Sequence, residues 1–517
     1  MQREMVKANL VVFIASFCSL VIELVAGRIM APYVGVSLYT WTSIIGVVLA
    51  GISIGAYLGG LIADRFPRLS TLGWLLFLSG LGALSISPLI NFLGRSEFHT
   101  TLMTRIVLMT ALVFFLPSCL LGTISPVVVK LTLKSLKTTG NVVGKIYAFS
   151  TLGSILGTFT TGFLLIEWMG TRHVLLAAGM ILIVCGPIFG GAFVKKRTIF
   201  LLFLILTLTL GIFYGKAFKP PLDEETYYFK ESQYYTISLK KDRSDQEASL
   251  VTLYLDHLNH SRTDLKNPFR LEYRYIRVFE EMLRWQVDEK RPFRSLFIGG
   301  GGYTLPRYVE LQYPNAKIEV VEIDPEVTRT AKTHMGIPPD TKIQTFNEDA
   351  RWFVMNCEEK GRYDFIFLDA FSDLSVPYHL TTKEFAAQLK LLLKPDGLLL
   401  TNVIDNFNKG AFLPSYIRTL EEAFGKGYTH LISVSPIHDS LGTSNFIVVA
   451  SIRKIDLNDF GDEIKKKSNQ VMISHVMSQG QLQQYLKERG PVILTDDYVP
   501  VDNLIAPIFE ELYGHQR

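Results

Sequence analysis

Ser295–Asp324 reads SLFIGGGGYTLPRYVELQYPNAKIEVVEID, and the order of its parts sets the fold of the C-terminal half. A short apolar strand runs into four glycines, Gly299 to Gly302. A helix-like segment follows, then a second apolar strand that ends in Glu322 and Asp324. Glycines let the backbone pass close to a bound nucleoside, where a Cβ collides. An acid at the end of the second strand accepts hydrogen bonds from both ribose hydroxyls. A glycine run alone reads as a tight turn. Strand, glycines, helix, strand and acid at this spacing read as a nucleotide fold, with Gly299, Gly300, Gly301 and Glu322 as binding residues.

Working outward, the alternation continues. SLFIG, KIEVVEID, KIQTFNED, YDFIFLDA and GLLLTNVI are strands with helical stretches between them, the pattern of a parallel sheet with helices on both faces. Such sheets bind ligands at the carboxyl ends of their strands. Glu322 and Asp324 follow the second strand, Asp349 the third and Asp369 the fourth. Asp349, with Ala350 beside it, is placed to accept from an adenine amino group; a lone Asp after a strand also commonly caps the next helix. Upstream, YYTISLKK and SLVTLYLD alternate as a hairpin, and Leu271–Trp285 reads as an amphipathic helix.

The first 219 residues differ in kind. About seven segments are apolar enough to cross a bilayer, approximately Leu10–Ile29, Trp41–Ala63, Leu72–Leu93, Ile106–Val129, Ile146–Trp168, His173–Val194 and Thr198–Tyr214. Gly51, Gly55 and Gly59 recur every fourth residue, as do Gly153 and Gly157, which reads as close helix packing in lipid. Glu23 lies inside the first span, either as a functional carboxylate or held structurally by a pair with Arg28 or an interhelical hydrogen bond. Arg3, Lys7, Arg65, Arg68, Lys130, Lys134, Lys137, Lys145 and Lys195–Arg197 fall on one side if all seven segments span, against Arg28, Arg95, Arg172, Lys216 and Lys219 on the other, so the N-terminus is expected in the cytosol. Seven spans then place the soluble half outside, whereas the supply of a nucleoside favours the cytosol. A multi-pass protein of the cell (inner) membrane is expected either way.

Across 517 residues, 52 basic and 48 acidic side chains give a net charge of +4, no argument for nucleic acid. Cys18, Cys119, Cys185 and Cys357 show neither a disulfide framework nor a metal-ligand spacing.

SLFIGGGG, VEID, NEDAR, YDFIFLDAF, HLTTKEF and LKPDGLLLTNV together resemble the spermidine synthase (aminopropyltransferase) family. ESQYYTISL and LYLDHLNH resemble that family's small N-terminal β-domain. The whole chain resembles the membrane-fused members, whose N-terminal part is similar to half of a transporter and in which segments like KIYAFSTLG (145–153) and ILTDDYVP (493–500) recur. The resemblance implies an α-helical transmembrane bundle over 1–219, a small β-hairpin domain and linking helix over 220–285, and a Rossmann-like, class I methyltransferase-type catalytic domain over 286–517.

By resemblance, an amine attacks the carbon next to a sulfonium, methylthioadenosine leaves, and Asp369 orients and deprotonates the amine. The donor is decarboxylated S-adenosylmethionine or S-adenosylmethionine, with no metal. Tyr234, Tyr235, Asp256, His260, Tyr273, Asp373, Tyr378 and Asp497 are the expected substrate-binding residues, with Glu231 and Asp496 as further carboxylates. The partners expected are a small-molecule amine such as putrescine, the lipid bilayer and a second copy of the chain. The chain also departs from the family. Gly302 replaces the Asp that holds the donor's amino group, Tyr235 replaces a Gln, and His257 and His260 replace a Gly and a Gln. The missing Asp favours intact S-adenosylmethionine, in a methylthioadenosine-forming transferase or lyase. The alternative from another class is a transporter or sensor with a non-catalytic nucleoside-binding domain.

Overall fold

The computed structural model describes residues 2–94, 101–190, 222–242, 249–256, 258–287, 291–370, 376–436, 442–467 and 472–514. They form two compact units, residues 1–223 with 231–235, and residues 224–230 with 236–517.

The first unit is helical: α1 (Gln2–Val34), α2 (Leu38–Arg65), α3 (Leu69–Gly94), α4 (Leu102–Gly122), α5 (Ile124–Thr132), α6 (Thr139–Thr160), α7 (Ile166–Met169) and α8 (Thr171–Phe189). Among the described residues six helical stretches are long and apolar enough to cross a membrane. The seventh apolar segment, 198–214, lies outside the described residues. Lipid tails supply no hydrophobic drive between helices, so close packing has to. A Cβ on Gly51, Gly55 or Gly59 of α2 meets Ser118, the Cys119 carbonyl or Thr123 at 2.8, 2.0 and 2.6 Å. On α6, a Cβ on Gly153 or Gly157 meets the carbonyls of Phe13 and Phe17 of α1 at 2.3 and 2.6 Å. These are the repeated glycines of the sequence, and helix contact is their role. Gly55→Ala drives a methyl into a backbone carbonyl and should cost about 1–3 kcal/mol. The check is thermal unfolding in detergent against Gly60→Ala, where nothing lies within 4 Å; equal midpoints refute the packing role. Glu23 does not pair with Arg28, which donates to the carbonyls of Ser232 and Tyr234 in the segment grouped with this unit.

The second unit contains two sheets. The smaller is β1 (Thr226–Glu231), β2 (Thr236–Lys241), β3 (Leu250–Leu255) and β4 (Leu258–Asp264), in that order. The expected hairpin is β2 against β3, with Ile237 opposite Leu255. The larger sheet has β5 (Arg294–Ile298), β6 (Lys317–Val321), β7 (Gln344–Phe346), β8 (Tyr363–Leu368), β9 (Leu393–Asn406), β10 (Thr429–Ser433), β11 (Thr443–Ser451) and β12 (His475–Val476). Its order is β12-β10-β11-β9-β8-β5-β6-β7. All five strands read from the sequence are present and parallel. The sheet as a whole is mixed, because β11 lies antiparallel between β9 and β10 and the edge is extended on that side.

The helices of this unit are α9 (Arg274–Gln286), α10 (Thr304–Gln312), α11 (Pro325–His334), α12 (Ala350–Asn356), α13 (Lys383–Leu392), α14 (Phe412–Phe424), α15 (Phe460–Lys467), α16 (Gln479–Arg489) and α17 (Val501–Gly514). Covered on both faces, β5 and β8 are apolar runs rather than alternating ones. Phe297 stacks on Phe367 at 4.6 Å, and Phe279 of α9 packs its edge against Phe367 at 5.2 Å. The chain runs from β5 outward through β6 to β7, then returns to β8 on β5's other side. That reversal opens a crevice at the carboxyl ends of β5 and β8, where ligands of open α/β sheets bind.

Candidate active site

The crevice starts at Gly299, directly after β5. Its φ is +97°, and a Cβ there lies 2.3 Å from the carbonyl oxygen of Asp369 at the end of β8. Glycine therefore lets the two strand ends touch. Gly300 is as crowded, with the Tyr303 ring 2.6 Å from its ideal Cβ. Gly301 has φ +47° and open space around it.

Glu322, 6% exposed, holds this crook from the end of β6. One oxygen accepts from the backbone N–H of Gly300 (2.7 Å) and Gly301 (3.3 Å), and the other from that of Asp324 (3.0 Å). Burial pushes its carboxyl up, against the pull of these donors. Asp324 is a helix cap, accepting from Glu326 N–H at 2.9 Å. Asp349 caps α12 with one oxygen, accepting from the N–H groups of Arg351 (2.9 Å) and Trp352 (3.0 Å), and its other oxygen lies 2.9 Å from His379 Nε2. Ala350 follows it, buried, as the first residue of α12.

Asp369 receives the Tyr275 hydroxyl on one oxygen (2.9 Å) and the Asn402 amide on the other (2.9 Å). Asn445 donates to the Asn402 side-chain carbonyl at 3.0 Å, which fixes that amide's orientation. Burial pushes the Asp369 carboxyl up, and both hydrogen bonds pull it down. Burial and the neighbouring Asp369 push the Tyr275 hydroxyl well up, so it remains a donor. Tyr275, Asn402 and Asn445 were not singled out in the sequence; the pairing of Tyr275 with Asp369 spans 94 positions and leaves no local signal.

The expected substrate residues scatter. Tyr273 stacks on Tyr275 at 5.9 Å, and its buried hydroxyl has no hydrogen-bond partner among the described residues. His260 also buries an Nε2 with no partner among the described residues, and burial pushes its imidazole down to about 4, so it is neutral at pH 7. Asp256 has φ 54° and accepts from Thr236 N–H at 2.8 Å, a turn-forming role. Tyr378 is 61% exposed. Asp497 is exposed in the turn closed between Thr495 and Tyr498. Tyr234 and Tyr235 belong to the 231–235 segment grouped with the helical unit. Of the further carboxylates, Glu231 accepts from Thr171 and Asp496 is paired with Arg351. His257 and Asp373 lie outside the described residues.

At Gly302 a Cβ lies 2.2 Å from Ser261 Oγ and 2.7 Å from Met335 Cε. Ser261 and Thr263 of β4 each bond Thr304, at 2.8 and 2.6 Å. This buried hydroxyl cluster fills the space a side chain at position 302 would enter.

A glycine crook after the first parallel strand, with acids following the parallel strands β6, β7 and β8, defines a Rossmann-like domain of the class I methyltransferase type. Residues 285–455 match the family model described as spermine/spermidine synthase domain. A polyamine aminopropyltransferase of Vibrio vulnificus (strain CMCP6) is 32% identical over 164 residues, which is 32% of this chain and 53% of that protein. The match thus spans about half the length of that relative. Polyamine aminopropyltransferase 2 of Aquifex aeolicus (strain VF5) is 26% identical over 488 residues, 89% of this chain and 90% of that one. The crystal structure of a probable spermidine synthase from Corynebacterium glutamicum ATCC 13032 aligns with TM-score 0.46 and 22% identity, over 53% of this chain and 97% of its own.

Proposed function

We propose that the chain is a membrane-anchored transferase that binds a sulfonium nucleoside and passes its alkyl-amine arm to an amine. The amine lone pair attacks the carbon next to sulfur, the C–S bond breaks, and its electron pair stays on sulfur as neutral methylthioadenosine. The new C–N bond leaves the nitrogen with a surplus proton, which Asp369 accepts. The sulfonium needs no acid to leave, so the protein's work is positioning and keeping the amine neutral. Glu322 holds the ribose and Asp349 the adenine amino group. The observation that carries this reading is Asp369 itself. It lies against Gly299 and is held by two neutral donors rather than by a cation, so its charge remains for a cationic substrate. The helical half anchors the enzyme, and nucleoside supply places the catalytic domain on the cytosolic side.

A second reading, with intact S-adenosylmethionine as donor, is favoured by the hydroxyl cluster at Gly302. Among the described residues the side chains that meet a Cβ at 302 are Ser261 and Met335, neither of them a carboxylate to hold an ammonium-only tail. Mass spectrometry of products after incubation with each donor, with and without putrescine, separates the readings. Spermidine appears under the first, and methylthioadenosine from S-adenosylmethionine under the second. Nucleoside binding without product from either donor refutes both and leaves the sensor.

The cluster yields a further prediction. Gly302→Asp, which restores the family's acid, should cost about 1–3 kcal/mol by overpacking against Ser261. Adding Ser261→Gly should recover most of the loss in thermal unfolding. An unaffected Gly302→Asp protein refutes the account of the departure.

A further inference from the structure

Three segments distant in sequence close around Asp349. Arg351, in the first turn of α12, donates to the backbone carbonyl of His379 at 3.0 Å and to one oxygen of Asp496 at 2.8 Å. Its other terminal nitrogen donates to the second Asp496 oxygen, so the pair is a two-pronged fork. Asp496 is itself fixed, with its N–H donating to Glu384 at 3.0 Å and the turn around it closed by Thr495 and Tyr498. The residue whose carbonyl Arg351 grips is the one whose imidazole meets the free oxygen of Asp349 at 2.9 Å. The other Asp349 oxygen is taken by two backbone N–H groups. A carboxylate engaged in this way has one acceptor direction left, and its aim depends on where His379 is held.

We propose that Arg351 and Asp496 are positioning residues for base recognition. By clamping the His379 carbonyl they seat its ring on Asp349 and aim that carboxylate at the amino group of an adenine. The inference rests on the nucleoside reading above. It assigns a use to the TDDY segment (495–498), whose first acid is spent on Arg351 and is not a pocket wall for an amine. The consequence is selectivity. A site that offers a fixed acceptor rejects a base carrying an oxo group in place of the amino group, because two acceptors then face each other. A carboxylate free to turn and hydrate discriminates less.

The test is calorimetry on the full-length chain in detergent, with methylthioadenosine and its 6-oxo counterpart methylthioinosine. The native protein is expected to prefer the amino compound by about tenfold or more. In Asp496→Asn and Arg351→Gln the ratio should fall to about twofold or less. A variant that merely loosens the fold weakens both ligands equally and leaves the ratio unchanged, and that result overturns the proposal. Arg351→Lys keeps the ion pair, and so the fold, but its single ammonium cannot hold both Asp496 oxygens and the His379 carbonyl as the fork does. It too is expected to lose the preference, and a retained preference overturns the clamp. A native protein that binds both compounds equally overturns the inference and leaves the nucleoside reading standing. One that binds neither overturns both.

Discussion

Asp369→Asn is expected to lower turnover about a thousandfold while methylthioadenosine binding shifts by less than about threefold. The substitution is close to isosteric. The new amide keeps its carbonyl oxygen for the Asn402 donor, and Tyr275 turns its hydroxyl to accept from the new NH2. The geometry therefore survives while the proton acceptor is lost. An effect on turnover without an effect on binding marks an interaction made only in the transition state. Equal losses in both instead assign Asp369 to the architecture of the crevice. pH supplies a second handle. Burial raises the Asp369 carboxyl above its ordinary 3.8, so the rate should fall as pH drops through that raised value and the acceptor becomes protonated. Its stability contribution runs the other way. The folded state favours the protonated form, so this contribution is fully present below 3.8 and is lost as pH rises through the raised value. Asp369→Asn removes both dependences. Tyr275→Phe takes away one of the donors that pull the carboxyl down, and it should move the acid limb of the rate profile to higher pH.

Gly299→Ala is expected to damage folding and chemistry together. At φ +97° an L-residue is strained whatever space surrounds it, and here the added methyl sits 2.3 Å from a backbone oxygen that cannot swing aside. The two costs together come to about 3 kcal/mol or more. Relief requires β5 and β8 to separate at their ends, which carries Asp369 away from the crook. A shift of about 1 Å costs about a hundredfold in rate. Gly301 is the internal control. Its φ is +47° with nothing within 4 Å, so Gly301→Asn, a residue that tolerates the left-handed region, should cost far less in thermal unfolding and leave the strand ends in place. If the two variants behave alike, the contact between the strand ends is not what requires glycine at 299.

Much of this protein is local and therefore readable from residue order. The apolar runs of the first half, the glycine spacing on α2 and α6, the five parallel strands and the acids that end them all follow from patterns a few residues long. The departure at Gly302 was visible as well, though its physical meaning, a space already filled by Ser261, was not. The polar shell around Asp369 was not readable. Tyr275, Asn402 and Asn445 come from a helix start and two strands on different stretches of chain, and each looks ordinary where it stands. Asp349 showed the same division. The sequence offered cap or base reader; the fold assigns one oxygen to the cap and sets His379 on the other. The link from Arg351 to Asp496 spans 145 residues. Residue order alone determined which elements form and which chemistry can gather at their ends, because periodicity and backbone freedom act over a few residues. Tertiary structure decided which acids are spent on caps and ion pairs and which remain for a ligand, because a carboxylate's partners are set by strands that meet only after the sheet has assembled.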